Sequence, residues 1–166
     1  QCDSCIGSKS SINFDNYKNL LGTFSPPNKV FIYKSFLDTL TNSEIKSGIG
    51  EMLHYYLTDN LSIANKIAEK YDDLLINRNL LQPFIKKSLE IKKKIIEIDE
   101  FDTDVRHIFN YGHTFGHAIE AISNYSIPHG QAVTIGMDLA NYISLKLNKL
   151  SLDDFNVMHL ILNKNK

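Results

Sequence analysis

The densest chemistry in this sequence is Gly112-His113-Thr114-Phe115-Gly116-His117-Ala118-Ile119-Glu120, followed by Pro128-His129-Gly130. His113 and His117 are four residues apart and share one face of a helix. His129 comes twelve residues after His117, behind a turn that can fold it back. Three imidazoles so placed can meet at one metal. Glu51 and His54 form a second pair, three apart and also on one helix face. A carboxylate with two imidazoles is a ligand set typical of catalytic zinc, with a position left open for water or substrate. The plain alternative is a solvated Glu51, a half-buried His54 and ordinary helix histidines, and spacing alone does not choose.

The basic side chains Lys9, Lys18, Lys92 and Arg106 are singly ordinary surface charges. Gathered, they would hold a phosphate or a carboxylate, Arg by a planar fork and Lys as a point charge. Cys2 and Cys5 form a CxxC without a second CxxC, which reads as two unpaired thiols rather than a structural zinc site.

The elements that must position these groups are mostly helices. Asp3 to Ser10 is polar and loop-like, Pro26-Pro27-Asn28 is a break, and Lys29-Val30-Phe31-Ile32-Tyr33 is the best strand candidate. Thr41-Asn42-Ser43-Glu44 has the form of a helix start. Ile45, Ile49, Met52, Leu53 and Tyr56 then recur at helical spacing, which predicts a helix over Glu44–Leu57. Further helices are predicted over Ser62–Ile76, Pro83–Glu97, Val105–Ser123 and Gln131–Leu147, with another starting at Ser151. The expected class is mainly α, with one or two short β-strands near the N-terminal end. The strand–helix alternation of a complete dinucleotide fold is missing.

The 166 residues are 43% hydrophobic, enough for one domain with a real core. A formal charge of −1 gives no basic bias toward nucleic acid. No apolar run is long enough to cross a membrane and no signal peptide is visible, so a cytoplasmic location is expected. The sequence opens at Gln1, already inside a motif, which predicts further sequence upstream.

The histidine block, with His129-Gly130-Gln131-Ala132-Val133 and Gly136-Met137, is similar to the signature of the 3-dehydroquinate synthases, a family of sugar phosphate cyclases. Asp3-Ser4-Cys5-Ile6-Gly7-Ser8-Lys9 and Lys18-Asn19-Leu20-Leu21-Gly22 resemble that family's loop beside cofactor and substrate. Ser47-Gly48-Ile49-Gly50-Glu51 resembles its metal-binding helix, and the likeness runs in order from residue 1 to about 150. It implies that Glu51, His113 and His129 bind zinc, or another divalent metal such as cobalt. It places His117 by the substrate phosphate, acting in catalysis with Lys9, Arg106 and Asn110. Asp3, Lys9, Asn19, His54, Lys92, Arg106, Asn110 and His117 would hold the substrate, and Asp3, Lys18 and Thr39 would lie near NAD.

The implied activity is a lyase of the shikimate pathway of aromatic amino acid biosynthesis. It converts 3-deoxy-D-arabino-heptulosonate 7-phosphate to 3-dehydroquinate and phosphate, with transient NAD redox, in a homodimer. On this reading residues 1–40 are a cofactor- and substrate-loop segment at a domain junction, and 41–166 are the helical metal- and substrate-binding domain. The family's nucleotide-binding domain is absent from the sequence, and the chain alone is expected to be inactive. Three departures stand out: His54 replaces the family's Lys, Asp102 stands for a Glu, and Ser8 for a Gly. The other readings are another sugar phosphate cyclase, a metal-dependent alcohol or glycerol dehydrogenase, and an inactive helical remnant.

Overall fold

The computed structural model describes residues 2–15 and 17–166, with the side chains of Asn13, Tyr17 and Lys18 outside that description. Helices dominate: α1 (Asn42–Asp59), α2 (Leu61–Glu69), α3 (Tyr71–Ile76), α4 (Gln82–Ile96), α5 (His113–Ile122), α6 (His129–Lys146) and α7 (Leu152–Asn163). Three short 3-10 turns, Lys34–Thr39, Arg78–Leu81 and Val105–Asn110, link them. Strands β1 (Lys9–Phe14) and β2 (Tyr17–Phe24) form an antiparallel hairpin in which Lys9 pairs with Phe24 and Ile12 with Leu21.

Helix α1 starts where its cap residues demand. The Glu44 amide donates to Thr41 Oγ1 at 3.3 Å, and the Thr41 amide donates to Glu44 Oε2 at 2.6 Å. This reciprocal box satisfies two amide groups that a helix start leaves unpaired. Past the cap, Ile45, Ile49, Met52, Leu53 and Tyr56 are all buried, so the spacing predicted the inward face. Helix α6 lies at the centre: it packs on α1, α5 and α7, while α1 also packs on α4 and α2. Asn165 ties the far end together, accepting from Tyr71 Oη at 2.8 Å and donating to Thr134 Oγ1 at 2.9 Å. Among the described residues no helix is long and apolar enough to cross a membrane.

Three sequence expectations are corrected. Lys29–Tyr33 is not a strand, and the strands fall earlier, over part of the stretch read as loop. Val30, Phe31, Ile32 and Tyr33 are exposed, and apolar content alone makes no strand without a neighbour to share its ladder. Ser62–Ile76 is two helices, because Lys70 (φ −100°, ψ 9°) leaves the helical path. The bend turns Tyr71 and Leu74 into the core, and Asp72 and Asp73 suit the new N-terminus. Val105–Ser123 is likewise split, with Gly112 at φ 78° between the 3-10 turn and α5. That left-handed conformation is open to glycine at little cost.

The hairpin docks on the turn that precedes Arg106. Ser8 Oγ donates to Glu100, Lys9 pairs with Asp102, and the Phe24 and Phe101 rings meet edge to face at 5.3 Å.

Candidate metal centre

The site sits where α1, α5 and α6 meet, and glycines bring these helices together. A Cβ on Gly50 would overlap the Gly130 carbonyl and lie 2.9 Å from Thr134 Oγ1. One on Gly130 would strike the Ser47 backbone, and one on Gly136 would strike the Gly112 carbonyl. The helices therefore touch backbone to backbone. Glu51 follows Gly50 on α1, His113 follows Gly112 as the first residue of α5, and His129 precedes Gly130 as the first residue of α6.

Glu51 Oε1 lies 3.1 Å from His129 Nε2 and 3.6 Å from His113 Nε2. All three donor atoms lie within 4.8 Å of one another. Ligand atoms each about 2.1 Å from a tetrahedral zinc stand roughly 3.4 Å apart, so the observed spacing fits. Glu51 Oε1 is buried without an aligned hydrogen bond, as an oxygen aimed at a shared centre would be. The other ring nitrogens face away from it: His113 Nδ1 lies 3.3 Å from the Tyr111 carbonyl and His129 Nδ1 lies 2.9 Å from Glu120 Oε2. The residues present thus suit a divalent metal.

Burial would raise the Glu51 carboxyl, but His113 and His129 beside it hold it well below the usual carboxylate range. Glu51 in turn, against the opposing pull of burial and helped by Glu120, raises His129. His117 joins the group from α5, its ring 5.5 Å from His113 and 5.6 Å from His129, stacked on the latter at 25°. A second possible donor set, His117, Glu120 and His129, overlaps the first.

His54 is fully buried, and neither ring nitrogen has a hydrogen-bond partner among the described residues. Its ring sits 4.8 Å from His113, 5.0 Å from Tyr55 and 5.9 Å from Phe109. Desolvation pushes it down to about 4, so it is a neutral imidazole at pH 7.

Beyond His54 lies an ion pair. Lys92 Nζ is 2.9 Å from both the carbonyl and Oδ2 of Asp3, and Tyr55 Oη donates to the same Oδ2 at 2.7 Å. Arg106 is buried, donating to the Gly7 carbonyl at 2.8 Å and to the Glu100 carbonyl. Asn110 ends the 3-10 turn that carries Arg106. Asn19 (φ 58°) lies on β2 and accepts from Ser11 Oγ at 3.0 Å. Thr39, exposed at the end of its 3-10 turn, donates to the Phe36 carbonyl at 3.2 Å. The side chain of Lys18 lies outside the described residues. Both cysteines are free thiols, and burial pushes the Cys2 thiol up.

The structure therefore gathers Glu51, His113, His117 and His129, with His54 against them and the Asp3–Lys92 pair next to Tyr55. Lys9 and Arg106 collect at the 99–106 turn, while Asn19 and Thr39 sit on exposed segments. Sequence reasoning missed Tyr55 and Glu120. The signal for Glu120 was available, since it is three residues past His117 on the same helix face. Tyr55 carried none, because a tyrosine in an apolar helix reads as core.

The chain is similar to known proteins along its length. Residues 48–166 match the family model described as 3-dehydroquinate synthase C-terminal, and residues 1–47 match 3-dehydroquinate synthase N-terminal. The chain is 44% identical over 150 residues to the 3-dehydroquinate synthase of Dictyoglomus thermophilum, covering 89% of this chain and 42% of that protein. It is 41% identical over 150 residues to that of Clostridium tetani, covering 90% and 39%. The chain thus spans less than half the length of these relatives. In structure it is similar to 2-deoxy-scyllo-inosose synthase complexed with carbaglucose-6-phosphate, NAD+ and Co2+ (TM-score 0.85, 28% identity, 99% of this chain and 45% of that one). A second likeness is to 2-epi-5-epi-valiolone synthase from Streptomyces hygroscopicus with NAD+ and Zn2+ bound (TM-score 0.89, 22% identity, 99% and 46%), which speaks to the fold. With its C-terminal family match running over most of its length, the chain belongs to the 3-dehydroquinate synthase family.

Proposed function

We propose that this chain is the metal- and substrate-binding part of a 3-dehydroquinate synthase. The whole protein would convert 3-deoxy-D-arabino-heptulosonate 7-phosphate to 3-dehydroquinate and phosphate, as a cytoplasmic homodimer and a carbon–oxygen lyase. The observation that carries the reading is the convergence of Glu51 Oε1, His113 Nε2 and His129 Nε2 within 4.8 Å. These residues would hold zinc, or cobalt in its place. When bound, the metal supplies Lewis-acid polarisation of a substrate oxygen, and NAD supplies the transient oxidation.

The chain's own residues would do the rest. Lys92 is nearly buried, with Asp3 as its counter-ion, so its ammonium is fixed in place for an anionic substrate group. Arg106 is held rigid by the Gly7 and Glu100 carbonyls and would turn its fork toward a carboxylate. Lys9, paired with Asp102 at the hairpin base, would exchange that partner for phosphate. His117 would place an imidazole N–H beside the leaving phosphate oxygen. Asn19, Asn110 and His54 would bond substrate hydroxyls, and Lys18 and Thr39 would face the cofactor. Residues 1–40 would bridge to a nucleotide-binding domain, with 41–166 as the catalytic helical half. By itself the chain would not turn over.

His54 favours a second reading, that the substrate belongs to another sugar phosphate cyclase. A neutral buried imidazole cannot replace a lysine ammonium opposite an anion. The experiment combines the chain with a nucleotide-binding half of the same family, NAD and zinc, and follows phosphate release. Release from the heptulosonate phosphate and not from a hexose 6-phosphate supports the first reading, and the reverse supports the second. No release from either, with both halves folded and zinc bound, sinks the enzyme reading. Replacing His113 by Ala should abolish zinc binding, and unchanged zinc content would refute the ligand assignment.

A further inference from the structure

We propose that Glu120 is the positioning residue that fixes the tautomer and orientation of His129 for metal binding, an inference that rests on the zinc reading above. A neutral imidazole carries one N–H and one lone pair, so its two nitrogens cannot both face donors, or both face acceptors, without conflict. His129 stands between two carboxylates: Nε2 is 3.1 Å from Glu51 Oε1 and Nδ1 is 2.9 Å from Glu120 Oε2. If Nδ1 carries the proton, it donates to Glu120 and the Nε2 lone pair points into the donor cluster. In the other tautomer the Nδ1 lone pair would face the Glu120 carboxylate, and Nε2–H would occupy the space a metal needs.

Burial makes this preference strong. Glu120 is 6% exposed, so its hydrogen bond to His129 is little diluted by water. Its place on α5 is set by backbone contact with α6, since a Cβ on Gly116 would lie 3.0 Å from Val133 Cα. The end of α5 is also tied down, the Glu120 carbonyl accepting from the Tyr125 amide at 2.8 Å and from Ser123 Oγ at 3.0 Å. The other ligand imidazole is oriented differently, because His113 Nδ1 faces a backbone carbonyl, that of Tyr111, at 3.3 Å. Of the two ligand histidines, His129 is therefore the one oriented by a replaceable side chain.

The same geometry decides between the overlapping donor sets. A metal held by His117, Glu120 and His129 would use the Nδ1 lone pair, and a neutral ring would then turn its Nε2–H on Glu51. The two sets exclude each other. The set around Glu51 has its members buried or half-buried, whereas His117 is exposed.

The test measures zinc affinity of the full chain by competition with a chromophoric chelator, with helical circular dichroism as the folding control. Glu120→Ala should weaken zinc about 10–100-fold while leaving one zinc per chain. Glu120→Gln keeps an acceptor oxygen without its charge, is close to isosteric, and should lie between. In the nitrogen-15 spectrum of the zinc-loaded parent, His129 should carry its proton on Nδ1, and that proton signal should vanish in Glu120→Ala. Parent affinity in both variants overturns the proposal and leaves the Glu51 site standing, whereas a proton on Nε2 in the zinc form overturns it in favour of the His117 set. Loss of zinc in Glu120→Gln together with retention in Glu51→Gln also overturns it, in favour of the His117 set. A parent that binds no zinc overturns the metal reading itself.

Discussion

Replacing Gly130 by Ala tests whether backbone contact builds the site. A methyl at that position would lie 2.6 Å from the Ser47 carbonyl carbon and 2.9 Å from Ser47 Cα, closer still to the carbonyl oxygen. Ordinary carbon–carbon contact begins near 3.5 Å, so the shortfall is roughly 1 Å. The obstacle is the main chain of α1, which has no rotamer to move away. Overpacking costs about 1–3 kcal/mol, and this case should reach the upper end or beyond. In a chain of this size each kcal/mol moves Tm by about 2–4 °C, so a fall of roughly 6–12 °C is expected for 3 kcal/mol. The same 1 Å separation would carry Glu51 Oε1 away from His129 Nε2, now 3.1 Å apart, and weaken zinc binding. Thermal unfolding followed by circular dichroism, with and without zinc, reads both effects. Gly48→Ala is the internal control, because nothing lies within 4 Å of its added methyl and it sits inside the same helix. It should stabilise by about 1 kcal/mol, from helix propensity alone. A Gly130→Ala protein that melts within about 2 °C of the parent and holds zinc equally well would refute the close approach of α1 and α6.

Thr41→Ala should lower stability by about 1 kcal/mol in urea unfolding, through loss of the α1 cap. Lys92→Met should cost about 3–5 kcal/mol, because it leaves the Asp3 carboxylate, 14% exposed, without its cation; the double variant with Asp3→Asn should recover much of that loss. An additive double variant would show that the two groups do not interact. Asp99 accepts hydrogen bonds from the Thr103, Asp104 and Arg106 amides, and those bonds, the one from Thr103 foremost, hold its carboxyl well below the usual range. A carboxyl lowered by folding stabilises fully above its unfolded pKa, and that contribution fades as pH falls toward the folded value. Urea midpoints should therefore decline less between pH 6 and pH 3 in Asp99→Asn than in the parent, and parallel declines would exclude this linkage.

Helices were legible in the sequence wherever one face was continuously apolar. α1 and α4 came out with limits close to those predicted, because cap residues and a helix-opening proline mark their ends. The break at Lys70 carries no glycine or proline and arises from the burial of Tyr71, which only the assembled core dictates. The hairpin was hidden for a similar reason: Lys9-Ser10-Ser11 looks like loop until β2 supplies a partner. At the site, the residue types able to donate were readable, while geometry was not. Spacing put His113 and His117 on one face, but Gly112 sets where α5 begins and so which imidazole faces Glu51. The role of Arg106 as a brace for the Gly7 loop is a contact across 99 residues, beyond any local pattern.

Glycines stand beside each of Glu51, His113 and His129. Because main-chain atoms in contact set the spacing of these helices, the donor separation is gauged by van der Waals radii common to every protein. Side chains elsewhere in the core can drift in size over evolutionary time without re-dimensioning the cage. Chains sharing this architecture can therefore diverge widely in sequence, and exchange buried neighbours such as His54, while the spacing of the donor atoms stays unchanged.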